Sequence, residues 1–171
     1  MEQKKTRVGI IGCGGIANSK HMLSLQKVKD CEMVAFCDII IKKAQDAAEK
    51  FGTPDAKVYE DYRELLKDES IDVVHVCTPN RSHSFITVDA LEAGKHVMCE
   101  KPAGVYTLQV REMMAEADKH PELVFGMMFN QRTNHIYRKM RELVHSGKYG
   151  QIRRTNWIIT NWYRPQAYYD S

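Results

Sequence analysis

The chain has 171 residues, 43% of them apolar and 27% charged, with a formal charge of +3. That length fits one domain, or one domain plus a fragment of another. The near-balanced charge, with basic residues scattered rather than clustered, argues against a nucleic-acid partner, and no apolar run approaches the about 18 residues that a membrane span needs. The start, Lys4-Lys5 before an apolar stretch, imitates a signal peptide, but its apolar part is short and broken by glycine, so the expected location is the cytoplasm. The five cysteines, Cys13, Cys31, Cys37, Cys77 and Cys99, have no C-x-x-C spacing. They read as buried thiols in a reducing compartment, with neither disulfides nor a metal site expected.

Residues 8–11 are an apolar run that predicts a buried strand. Gly12, Gly14 and Ala17 then match G-x-G-x-x-G/A, and residues 16–28 carry apolar side chains at helical spacing. Strand, glycine turn, helix is the context in which this motif binds a dinucleotide. Gly12 would make the tight turn, and Gly14 would let backbone approach a pyrophosphate. Ala17 would let the helix pack on the strand. The helix start, with Gly15 and Ile16, would present unpaired N–H groups to the phosphates. The next strand, residues 33–37, ends at Asp38, about twenty residues past the glycines, where a ribose-binding carboxylate belongs. Asp38 would accept hydrogen bonds from both ribose hydroxyls and repel a 2′-phosphate. Ile39, Ile40 and Ile41 supply no arginine for that phosphate, and although Lys42 and Lys43 lie close by, NAD is expected rather than NADP.

Further along, Ala44, Ala47, Ala48 and Phe51 mark a helix that Gly52 ends. A short strand (57–59) and a small helix around Tyr62, Leu65 and Leu66 follow. Residues 71–77 are a β-branched strand, broken by Thr78-Pro79-Asn80. A helix containing Phe85, Val88, Leu91 and Ala93 stops at Gly94. Then come a strand (96–99), a helix (108–119) and a sixth strand (123–129). Strands alternating with helices predict an α/β fold: a doubly wound parallel Rossmann sheet in the order 3-2-1-4-5-6 over residues 1–130. Residues 131–171 read as a connecting helix (134–146) and the first strand (151–162) of a truncated C-terminal α/β domain. The paired methionines 113–114 and 127–128 read as core filler, and His75 as a packed core histidine.

Open α/β sheets bind ligands at the carboxyl ends of their strands. Three stretches fall there: 77–83, Glu100-Lys101-Pro102, and Asn130-Gln131-Arg132. A lysine beside a nicotinamide can hold a sugar hydroxyl or hand it a proton. Glu100 could orient a ribose or that lysine; a solvated Glu100–Lys101 ion pair is the plainer alternative. Asn80 and His83 suit a turn and a helix cap as well as a cofactor contact. A cis Lys101–Pro102 bond is compatible with the small cost of inverting an X–Pro peptide.

Gly12-Cys13-Gly14-Gly15-Ile16-Ala17, Asp38, Cys77-Thr78-Pro79-Asn80 through His83, and Glu100-Lys101-Pro102 stand in register. Together they resemble the Gfo/Idh/MocA family, the glucose-fructose oxidoreductases and inositol dehydrogenases, over essentially the whole chain. The resemblance implies NAD(P)-dependent transfer of hydride between nicotinamide and a sugar or cyclitol hydroxyl. It implies Lys101 as the catalytic residue, and Thr78, Pro79, Asn80, His83 and Glu100 as cofactor contacts. Arg132 falls near the substrate mouth. It further implies a second domain on a large open sheet that makes homo-oligomer contacts and supplies the remaining proton-transfer groups. A non-catalytic NAD(P)-binding or sensing module and a methyltransferase with a similar glycine loop are the alternatives; the second gives Glu100-Lys101-Pro102 no role.

Overall fold

A computed structural model describes residues 4–160 and 163–166. The chain divides into two compact units, Met1–Phe129 and Asn130–Ser171. The first unit is a six-stranded parallel sheet. Its strands are β1 (Thr6–Ile11), β2 (Cys31–Cys37), β3 (Lys57–Tyr59), β4 (Val73–Val76), β5 (His96–Glu100) and β6 (Phe125–Met128), in the order β3-β2-β1-β4-β5-β6. The doubly wound Rossmann order expected from the alternating pattern is the order observed.

Both faces of this sheet are covered, which is why its central strands carry mostly apolar residues rather than a strict polar alternation. On one face Val8, Ile10, Met33 and Phe36 pack against Ala17 and Met22 of the first helical segment. Ala44, Ala47 and Phe51 of α2 (Ile41–Phe51) complete that layer. On the other face Ile11, Val34, Val74, Val76 and Val97 meet three helices. These are α3 (Tyr62–Leu66) through Leu65, α4 (His83–Glu92) through Ile86 and Leu91, and α5 (Thr107–Lys119) through Met113. Successive residues of one strand, such as Ile10 and Ile11, thus feed opposite layers. The join between the two halves of the sheet is pinned at the start of β1. There the Arg7 N–H donates to Asp72 Oδ2 at 2.8 Å and the Asp72 N–H donates to the Arg7 carbonyl at 2.9 Å.

Element edges differ from the sequence reading in ways that have local causes. The first helical segment runs over 15–25 rather than 16–28, and Ala17–His21 is wound in the wider π form before α1 (Met22–Leu25). Met113 is buried, but its neighbour Met114 is exposed, because adjacent helical residues point about 100° apart. Only one of that pair fills the core.

The second unit contains a helical turn (Asn130–Arg132) and α6 (His135–His145), capped by Asn134, whose side chain accepts from the Ile136 N–H at 2.9 Å. Residues 151–160 form no strand, which corrects the expectation for 151–162; Asn161 and Trp162 lie outside the described residues. The composition suits a strand, but strand structure requires a partner for its backbone groups, and among the described residues none pairs with this segment. Its contact is by side chain: the Trp157 ring lies 5.6 Å, centroid to centroid, from Tyr137 of α6.

Candidate functional site

The glycine turn sits between β1 and the first helical segment, at the carboxyl edge of the sheet. Gly12 has φ of 92°, in the left-handed region, and a Cβ there would lie 2.8 Å from the Cys77 carbonyl carbon. It is therefore glycine for two reasons: the turn, and the close approach of the loop after β4. Gly14 differs, because a Cβ added to it would meet nothing within 4 Å. Its bare backbone borders open space, as a cradle for a phosphate group requires. Asn18 closes the turn from behind, its amide donating to the Cys13 and Gly14 carbonyls at 2.8 and 3.1 Å. Ala17 is fully buried against the strand.

Asp38 follows β2 directly, and its carboxylate bonds to the same turn. Oδ2 accepts from the Cys13 N–H and Oδ1 from the Ile40 N–H, both at 2.9 Å. Each oxygen keeps further acceptor capacity toward a diol. Around this turn the thiols are buried. Burial and then the Asp38 carboxylate push Cys13 up to about 12. Burial, then Cys13 and Asp38, does the same to Cys37. They serve as packing, not as nucleophiles.

The loops after β4 and β5 form the other side of the edge. His83 is buried, with Nε2 2.7 Å from the Thr78 carbonyl oxygen and Nδ1 2.6 Å from the Pro102 carbonyl oxygen. Both ring nitrogens are taken by backbone, so His83 ties the two loops together and its ring does not line the surface they present. Thr78 is half-buried and its hydroxyl oxygen lies 2.9 Å from the Ser82 hydroxyl; Pro79 and Asn80 are exposed. The Lys101–Pro102 bond is cis. Lys101 is exposed, and among the described residues its ammonium has no partner, so the plain Glu100–Lys101 ion pair does not form.

Glu100 is turned inward instead. Its Oε1 lies 2.7 Å from His21 Nε2, and its Oε2 accepts from the Lys101 N–H at 3.0 Å. His21 is itself buried, and its Nδ1 lies 3.4 Å from Nδ1 of His75. His75 is held at about 4, first by burial and then by the neighbouring His21. His75 is therefore neutral near pH 7. Sequence reasoning missed His21 and Asn18. The available signal for His21 was its place four residues after Ala17, a polar side chain on the buried face of the helix.

Arg132 belongs to the second unit. There it lines a concavity of about 960 Å³ with Tyr137, Arg138, Arg141 and Trp157.

The first unit is thus a Rossmann domain whose glycine turn, Asp38 carboxylate and β4 and β5 loops meet along one edge of the sheet. The chain belongs to the Gfo/Idh/MocA family, described as an oxidoreductase family with an NAD-binding Rossmann fold, whose profile it matches over residues 6–127. It is 41% identical over 152 residues to the D-glucoside 3-dehydrogenase of Escherichia coli K12, covering 89% of this chain and 42% of that protein. It is 32% identical over 145 residues to the inositol 2-dehydrogenase of Salmonella typhimurium LT2, covering 85% and 43%. Among solved structures, a myo-inositol 2-dehydrogenase from Lactobacillus plantarum superposes with a TM-score of 0.81 at 30% identity, over 87% of this chain and 43% of that one. A 3-ketoreductase from Actinomadura kijaniata in complex with TDP-benzene and NADP does so with 0.79 at 29% identity, over 88% and 46%. The chain therefore spans less than half the length of these relatives.

Proposed function

We propose that this chain is the cofactor-binding part of an NAD-dependent dehydrogenase that interconverts a secondary hydroxyl of a sugar or cyclitol and the corresponding ketone. The observation that carries the reading is the bare Gly14 backbone beside Asp38, with Lys101 exposed and unpaired at the end of β5 on the same sheet edge. The residues fit the cofactor: Gly14 and Gly15 leave room for a pyrophosphate, Asp38 retains acceptor capacity for ribose hydroxyls, and the loop from Thr78 to Asn80 stands across the edge. NAD is favoured over NADP because the Asp38 carboxylate would repel a 2′-phosphate and Ile39 to Ile41 offer it no cation. The 3-ketoreductase from Actinomadura kijaniata is in complex with NADP, so the preference proposed for this chain rests on Asp38 itself.

When bound, the nicotinamide supplies or accepts the hydride. Lys101 holds the substrate oxygen by hydrogen bond. In the reducing direction it delivers a proton to the ketone oxygen; in the oxidising direction it takes the hydroxyl proton as the C–H hydride departs. Asp38 and the glycine turn fix the adenosine end, and Glu100 fixes the backbone from which Lys101 reaches. Residues 131–171 read as the opening of a second domain, with Arg132 at its start as a candidate substrate contact.

Two measurements test the reading. Fluorescence titration should give tighter binding of NAD than of NADP, and Asp38→Ala should abolish that preference. In the complete enzyme Lys101→Met should keep cofactor affinity and lower kcat by about 10²–10⁴-fold. Tighter NADP binding by the native chain, or full turnover by Lys101→Met, would overturn it.

A further inference from the structure

The His75–His21–Glu100 row lies beneath the site, and its purpose is not obvious from stability. A buried carboxylate is costly unless paired and hydrogen-bonded, and apolar residues of similar volume usually stabilise a core at least as well. Here the row runs from β4, through the first helical segment, to the last residue of β5. It ends on one backbone group: Glu100 Oε2 accepts from the N–H of Lys101. The Lys101 side chain has no partner among the described residues, so nothing but its backbone fixes where the ammonium reaches. A long, flexible lysine is only as well aimed as the peptide that bears it.

We infer that His21 is a positioning residue for Lys101: it holds the Glu100 carboxylate in one orientation, and Glu100 thereby fixes the Lys101 backbone at the end of β5. The Nε2–H of His21 donates to Oε1 over 2.7 Å, which leaves Oε2 directed at the Lys101 N–H. His75 completes the arrangement. Its ring stands edge-on to His21, with centroids 5.6 Å apart and planes at 88°, and its Nδ1 faces Nδ1 of His21. Rotation of the His21 ring would break both contacts. The π winding at Ala17–His21 ends on His21, and such widened turns commonly occur at functional sites. The inference rests on the reading of Lys101 as the proton-transfer group.

Two isosteric replacements separate the contacts. The amide of His21→Gln reaches the position of Nε2 and can still donate to Glu100; that of His21→Asn reaches only the position of Nδ1. In the complete enzyme His21→Asn should lower kcat about 100-fold with NAD affinity nearly unchanged. His21→Gln should recover about tenfold or more of that loss. In a Lys101→Met background, His21→Asn should change the residual kcat by less than about twofold, because residues that act as a unit are not additive. Should His21→Asn fail to fold, Glu100→Gln takes its place in the same cycle, since the amide keeps an acceptor for the Lys101 N–H but loses the charge that His21 holds. Equal losses in both backgrounds, or a lowered Tm with kcat intact, would overturn the positioning role alone. An active Lys101→Met would overturn the Lys101 reading and the positioning role with it.

Discussion

At the scale of single residues, the two glycines of the turn do different work and should fail differently. Gly12→Ala places a Cβ 2.8 Å from backbone, at a φ that side chains resist. It should destabilise the fold by about 2–4 kcal/mol, measured by denaturant unfolding. Gly14→Ala meets no protein atom. It should leave stability within about 0.5 kcal/mol while weakening NAD binding about tenfold or more. His75 gives a second test. Its ring titrates at about 4 in the fold against an ordinary value of 6.5, so between those values the unfolded chain binds the extra proton. Stability should therefore be full above about pH 6.5 and fall as the pH drops toward 4, by up to about 3 kcal/mol. His75→Phe should flatten that slope; an unchanged slope would assign it to other groups. The placing of Gly12, Asp38 and Lys101 was legible in the sequence because each directly follows a strand end. His21 was not, because its partners, His75 and Glu100, lie 54 and 79 residues away.

At the scale of elements, short helices depend on their caps more than on their own propensity. α3 is five residues long, and Asp61 accepts from the Arg63 N–H at 2.9 Å at its start. It presents Leu65, fully buried, to the core. Asp61→Ala should cost about 1 kcal/mol, and Leu65→Ala about 2–5 kcal/mol. Urea midpoints of the two variants would rank them, and the reverse order would show that α3 is held by its cap rather than its packing. The strands were readable because both sheet faces are covered, which makes the middle of most runs apolar. Residues 151–160 carried a strand-like composition without the result. Trp157, Ile158 and Ile159 favour a strand locally, but the ladder that makes a strand comes from a neighbour that the sequence pattern does not specify.

At the scale of the whole chain, the two units should differ sharply in protection from solvent. Amides in β1 and β4 are paired on both sides within the sheet. Among the described residues no backbone hydrogen bond involves residues 151–160. Hydrogen exchange of the 171-residue chain should be slowest in β1 and β4 and fast throughout 151–160. Slow exchange in 151–160 would reveal pairing with another segment or another copy. The doubly wound order itself was readable from chain order, since right-handed crossovers leave few alternatives for six alternating strands. The companion to 151–160 was not, because periodicity reports which face is apolar but not what covers it.

The place of β1 in the sheet has a consequence for biosynthesis. It leaves the ribosome before the other five strands, yet lies between β2 and β4, and its Arg7–Asp72 bond spans 65 residues. At translation rates of about 5–20 residues per second, that partner emerges several seconds later. For that interval Val8 to Ile11, destined for a buried central strand of the domain, offers one unpaired edge to whatever is nearby. The segment that must stay unpaired longest during synthesis is thus the one that later carries the glycine turn.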